Sequence, residues 1–283
     1  MLGDMDLNPQ LPGQSILAVA VGNTRTSFGS FQGTRLNGEV TTLPNTDPVQ
    51  VAKAIDAASV AGGDLPIVIG TVNPSLADAL EDSVRGASGE RVYRFGRDLE
   101  IPIANALTDD STVGQDRLLC ALGAYTRAEQ ACVVIDAGTA VTVDFVDGEG
   151  TFQGGVIAPG LNMMLASMHE KTAKLPKVSF ALPDPILGPF GKDTRHAMQL
   201  GVLNAVRGLV RTMIEQYAEA FGAYPQIIAT GGDAQVLFEH DDLVENIVPE
   251  LQLIGIAAAC HRVLADEDEA IGHGSTDDDD LAD

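Results

Sequence analysis

The feature that most narrows the possible folds is a repeat inside the chain. The run A-V-A-V-G-N-T-R-T-S-F-G at 18–29 has a counterpart in V-V-I-D-A-G-T-A-V-T-V-D at 133–144. In both, an apolar strand enters a glycine turn that carries a short polar side chain, and a second strand leaves it. Each pair leads into a third strand and then a helix. A duplicated β-β-β-α unit means two similar lobes, each with its own core. The 283 residues are enough to bury both. Ligands of such α/β folds sit in crevices beyond the strand ends.

The expected elements follow the repeat. In the first half, strands are expected over 16–21, 26–31, 39–43, 66–71 and 91–95. Helices are expected over 49–61, behind the Asp47-Pro48 start, and over 75–85. In the second half, a helix over 116–128 precedes strands at 131–136, 139–146 and 151–157. Helices at about 161–172 and 194–221, a strand at 226–230, a helix from Asp233 and a last helix over 251–264 complete the plan. Residues 1–14 and the acidic 266–283 read as disordered tails on composition.

Composition excludes several functions. Forty Asp and Glu against seventeen Lys and Arg give a net charge of −23, which argues against nucleic acid and anionic membranes as partners. Cys120, Cys132 and Cys260 are far apart and sit in apolar runs, so no zinc ribbon or dithiol motif is present. The five histidines have no metal-ligand spacing and read as packed or solvated. The N-terminus lacks the basic start of a secretory leader, and no run reaches the ~18 apolar residues of a membrane span. These features place the chain in the cytoplasm as an expectation.

Three turns carry the chemistry. In Val21-Gly22-Asn23-Thr24, glycine lets the backbone approach a phosphate, and Asn23 and Thr24 can donate to its oxygens. In Asp136-Ala137-Gly138-Thr139, a carboxylate at a strand end and a hydroxyl suit a cation and a phosphate held together. Gly231-Gly232-Asp233 follows the apolar strand I-I-A-T and allows a flat ligand close to the backbone. Each alone also reads as an ordinary turn or helix cap. In this order on a duplicated fold they resemble the acetate kinase, sugar kinase, Hsp70 and actin superfamily, whose members bind ATP between two ribonuclease-H-like lobes. The resemblance implies an α/β fold of duplicated ribonuclease-H-like lobes with a central ATP cleft.

Further stretches sharpen the resemblance. Val113-Gly114-Gln115-Asp116-Arg117 opens a helix, and the run from Asp136-Ala137-Gly138-Thr139 to Gly154-Gly155-Val156-Ile157-Ala158-Pro159-Gly160 follows it. With K-L-P-K-V at 174–178 and G-K-D-T at 191–194, the chain resembles type III pantothenate kinase over about 15–264. That family phosphorylates pantothenate with ATP in the first step of coenzyme A synthesis. It uses a divalent cation such as Mg2+ and a monovalent one, K+ or NH4+, and forms homodimers.

The resemblance implies a role for each matching residue. Asp116 is the general base that takes the proton from the attacking pantothenate hydroxyl. Gly22, Asn23, Thr24, Arg25, Thr139, Gly231 and Gly232 bind ATP. Gly114, Gln115, Arg117 and Thr194 bind pantothenate, with Arg117 gripping a carboxylate or phosphoryl oxygen by its fork. Asp136 holds the monovalent cation. The lobes are expected at 15–115, with the first phosphate loop, and 116–264, with the second phosphate and adenosine motifs.

Two positions depart from the family. Its first loop reads Asp-x-Gly-Asn-Thr, whereas Ala20 stands at the acid here. Losing a carboxylate near a metal-triphosphate implies a loss on the order of 10²–10³ in rate. Leu107 stands where the family often has an aromatic stacked on pantothenate. Asp116, Arg117, Asp136 and Thr139 are all retained, and the main expectation is a working but slow kinase. The alternatives are a regulator of the same fold that binds nucleotide or pantothenate without turnover, and another small-molecule kinase or ATPase of the superfamily.

Overall fold

The computed structural model describes residues 15–88, 91–244 and 246–272. The expected tail over 1–14, and the end of the other tail from 273 onward, lie outside the described residues. The chain forms two compact units that interleave in sequence. The first takes the described residues of Met1–Pro102, Gly114–Gly123 and Gln252–Asp283; the second takes Ile103–Val113 and Ala124–Leu251.

In the first unit, β1 (Ser15–Val21), β2 (Arg25–Gln32) and β3 (Arg35–Pro44) form an antiparallel meander, followed by α1 (Pro48–Ala61), β4 (Ile67–Thr71), α2 (Pro74–Ser88) and β5 (Val92–Arg94). The sheet order is β3-β2-β1-β4-β5, with β1, β4 and β5 parallel. Strand alternation decides what each face meets. Leu17, Val19 and Val21 bury against Val51 and Ile55 of α1 and Leu80 and Val84 of α2. Asp47 caps α1 by accepting from the Gln50 N–H at 3.0 Å, as the Asp-Pro pair predicts.

Helix α3 (Gln115–Ala128) begins in this unit. Gly70 leaves room for Leu119 of α3, since a Cβ there would lie 2.6 Å from Leu119 Cδ1. The last helix, α7 (Leu251–Gly272), returns to the same unit and packs closely on α3 through Gly255, whose absent Cβ would lie 1.8 Å from the Leu119 carbonyl oxygen. α7 also corrects an expectation. The run 266–272 was expected in a disordered tail but continues the helix to Gly272. Acidic composition alone does not end a helix; Glu and Ala are good formers, and no Pro or Gly intervenes before that point.

The second unit repeats the plan: β6 (Cys132–Ala137), β7 (Ala140–Val146), β8 (Phe152–Pro159), α4 (Leu161–Lys171), α5 (Thr194–Phe221), β9 (Gln226–Thr230), α6 (Ala234–Phe238) and β10 (Asn246–Ile247). Its order, β8-β7-β6-β9-β10, matches the first sheet strand for strand, with the same parallel and antiparallel pairings. Val133, Ile135, Val141 and Val143 form its core with Leu161 and Leu165 of α4 and Val202, Val206 and Val210 of α5. Among the described residues, no helix is long and apolar enough to cross a membrane.

Candidate active site

In the first unit, the turn between β1 and β2 is a tight hairpin. The Gly22 N–H donates to the Arg25 carbonyl at 3.0 Å. Asn45, just past β3, braces it three ways. Its side-chain amide donates to the Gly22 carbonyl at 2.9 Å, and its backbone N–H donates to the Thr24 carbonyl at 2.9 Å. Its Oδ1 accepts from the buried Thr26 hydroxyl at 2.8 Å. With the backbone held from behind, Asn23, Thr24 and Arg25 stand exposed at the strand end. Ala20 is buried, paired with Ser27 of β2 and Gly70 of β4.

The start of α3 lies in the same unit. Asp116 and Arg117 are half-buried in its first turn. The Asp116 carboxylate folds back over Gly114. Its Oδ1 accepts from the Arg117 N–H at 2.8 Å, and a Cβ at Gly114 would lie 2.4 Å from that oxygen. The space that Gly114 leaves is therefore filled by the Asp116 carboxylate. The Gln115 side chain is engaged by the protein. Its Nε2 donates to the Phe95 carbonyl at 2.9 Å, and its Oε1 accepts from the Thr71 N–H at 3.4 Å.

In the second unit, Asp136 and Gly231 meet at the ends of the parallel strands β6 and β9. A Cβ at Gly231 would lie 2.4 Å from Asp136 Oδ1 and 2.3 Å from the Ala137 carbonyl oxygen, and its φ is +92°. Only glycine satisfies both conditions. The same carbonyl accepts from the Asp233 N–H at 2.9 Å, which ties the Gly231-Gly232 turn to the second loop. Gly160 closes the other side, donating to the Thr139 carbonyl at 3.0 Å. Thr139 and Gly232 are exposed at this edge. Asp233 takes the N-cap position of α6, but its carboxylate makes no capping bond.

Thr194 opens α5, yet the cap is Asp193, whose Oδ1 accepts from the His196 N–H at 2.8 Å. That leaves the exposed Thr194 hydroxyl clear of capping. His196 is buried, as a packed histidine should be, and its Nδ1 accepts from the Lys192 N–H at 3.2 Å, which holds the Gly-Lys-Asp-Thr loop on the helix. Thr194 also lines an apolar groove of about 810 Å³ between α4 and α5, shared with Met163, Met164, Met168 and Met198. Leu107 is half-buried in the second unit and lies over Gly154, where a Cβ would come within 3.1 Å of it.

Thus the first unit gathers Gly22, Asn23, Thr24, Arg25, Gly114, Gln115, Asp116 and Arg117. The second gathers Asp136, Thr139, Gly231 and Gly232 at one strand edge. Sequence reasoning missed Asn45, Thr71 and His196, because each acts through partners far along the chain or through a ring nitrogen with no motif. All three cysteines are buried, and burial pushes the Cys132 and Cys260 thiols up to about 12. A thiol held that far from ionisation is a poor nucleophile.

The family model for type III pantothenate kinase matches residues 16–216. The type III pantothenate kinase of Acidiphilium cryptum is 33% identical over 247 residues, covering 85% of this chain and 92% of that protein. The enzyme of the same name from Rhodospirillum rubrum is 32% identical, covering 85% of this chain and 96% of its own length. Among solved structures, the activator of the 2-hydroxyisocaproyl-CoA dehydratase from Clostridium difficile, with bound ADPNP, superposes with a TM-score of 0.50 at 10% identity. That alignment covers 92% of this chain and 97% of the activator, and it shows a shared actin-like ATPase fold.

Proposed function

The chain belongs to the type III pantothenate kinase family, and we propose that it works with Asp116 as the general base. It transfers the γ-phosphoryl group of ATP to pantothenate and yields 4'-phosphopantothenate and ADP, the first step of coenzyme A biosynthesis. The pantothenate hydroxyl oxygen bonds to the γ-phosphorus, and the bond to the bridging oxygen of ADP breaks. The hydroxyl proton goes to Asp116. The observation that carries this role is the carboxylate in the first turn of α3, held over Gly114.

The other roles are those that the family resemblance implies. Asn23, Thr24 and Arg25 on the first loop, and Thr139 on the second, contact phosphate oxygens. Gly231 and Gly232 lie under the adenosine. Arg117, Thr194 and Leu107 contact pantothenate. Gly114 serves pantothenate binding indirectly, by seating Asp116. The repeat units run over 15–115 and 116–264, as distinct from the interleaved contact units.

Oxygen donors at Asp136, beside the bare Gly231, fit a hard monovalent ion such as K+ or NH4+. That ion supplies positive charge near the phosphates when bound. Among the described residues no cluster of three His, Cys, Asp or Glu can hold a metal. Mg2+ is brought by the nucleotide, as MgATP. The enzyme works in the cytoplasm and is a homodimer. The methionine-lined groove supports the second point, since 45% of Met163 is exposed beside it.

Steady-state kinetics test the base. Asp116→Asn is expected to lower kcat by about 10²–10⁴, with the KM for ATP little changed. A variant as fast as the unaltered chain overturns the assignment. Sedimentation velocity tests the dimer: Met163→Glu should yield monomers, and a monomeric unaltered chain contradicts it.

A further inference from the structure

We propose that Thr71 and Gln115 form a bridge that positions Asp116 relative to the first phosphate loop, so that Gln115 acts on the reaction through Asp116 and not by touching pantothenate. The proposal rests on Asp116 being the base.

The bridge runs through atoms of the first unit. The Thr71 hydroxyl, buried at the end of β4, donates to the Val21 carbonyl at 3.3 Å, and the Val72 N–H donates to the same oxygen at 3.2 Å. Val21 immediately precedes Gly22, so this carbonyl is where the phosphate loop leaves the sheet. The hydroxyl also accepts from the Asn73 N–H at 2.9 Å, so its donor and one acceptor position are both used. The Thr71 N–H then reaches Gln115 Oε1 at 3.4 Å, and Gln115 Nε2 reaches the Phe95 carbonyl at 2.9 Å. One side-chain amide thus spans the ends of β4 and β5 from the first residue of α3.

Glycine chemistry on either side supports the same reading. Gly96 has φ +79°, and a Cβ there would lie 2.3 Å from Gln115 Nε2. Any side chain at 96 would therefore evict the amide. On the other side, a Cβ at Gly114 would evict the Asp116 carboxylate. The turn after β5 is itself held, because Arg97 forks onto the buried Glu81 at 2.9 and 2.6 Å.

The bridge matters because two positions must agree. The loop sets where the γ-phosphorus lies, and the base must come within hydrogen-bond reach of the attacking hydroxyl. A misplacement of about 1 Å can cost about 10²-fold in rate without weakening binding. Anchoring Gln115 fixes the backbone one residue before Asp116, and Thr71 ties that anchor to the loop.

The test is kinetic. Gln115→Met fills nearly the same space without either hydrogen bond. It is expected to lower kcat by about 10- to 10²-fold while the KM for pantothenate stays within about twofold. In an Asp116→Asn background the same change is expected to cost nothing further, because the group it positions is already gone. An equal loss in both backgrounds, or a raised KM at unchanged kcat, overturns the proposal. Asp116→Asn at full rate overturns the base assignment instead, so the two failures are told apart. Thr71→Val probes the other end and holds even if Gln115→Met does not fold. It should lower kcat in the same way, and Thr71→Ser, which restores the hydroxyl, should recover the rate. Equal rates for Val and Ser at 71 contradict the bridge.

Discussion

The two sheets share one strand order and one pattern of pairings, but their equivalent loops are held and charged differently. In the second unit, Asp136 sits at the end of β6, between Thr142 of β7 and Thr230 of β9. In the first, the matching place on β1 is Ala20, between Ser27 and Gly70. The second loop is closed by backbone packing: Gly160 and Gly231 press on it, and Asp233 donates into it. The first is braced from behind by the side chain and backbone of Asn45, which lies past β3. Duplication fixed the scaffold, while each half settled its own electrostatics. One half sets a carboxylate at the end of its first strand, and the other sets an alanine there and exposes Asn23, Thr24 and Arg25 in the loop that follows.

Of the changes that bear on the two loops, the larger effect should come from removing the acid at the end of β6. Asp136→Ala is expected to lower kcat by about 10²–10³ and to abolish stimulation by K+ or NH4+. Titrating the salt at constant ionic strength checks this. Stimulation that survives breaks the contrast between the halves.

A smaller effect is expected where the first loop leans on Asn45. Asn45→Ala leaves the buried Thr26 hydroxyl without its acceptor and the Gly22 carbonyl without its donor. That should destabilise the chain by about 1–3 kcal/mol, read as a lower midpoint in denaturant unfolding. The KM for ATP should rise severalfold. An unchanged midpoint and KM mean that the hairpin holds itself.

Much of this contrast was legible in the sequence, for a physical reason. Strand alternation and glycine turns are local signals, so the repeat and most elements emerged within a residue or two of their observed ends. β10 has only two residues, too few for any period, and went unseen. At the start of α5, Asp193 and Thr194 are both capping types side by side, and geometry alone gives the cap to Asp193. The hydrogen-bond partners of Gln115, Thr71 and Phe95, are 44 and 20 residues away, so no local pattern announces them. Asn45 escaped for the same reason, 23 residues from the carbonyl it braces. Ala20 was visible at once, but only the structure shows it buried against its strand neighbours.

The most direct measurement is the formation of 4'-phosphopantothenate from ATP and pantothenate, with Mg2+ and K+ present, by the unaltered chain beside Ala20→Asp. The account predicts product from the unaltered chain that requires both substrates. It also predicts a faster rate in Ala20→Asp, by up to about 10²-fold, as the first loop regains its acid. Product from Ala20→Asp alone, with none from the unaltered chain, would contradict the account and make this chain a binding protein on a kinase scaffold.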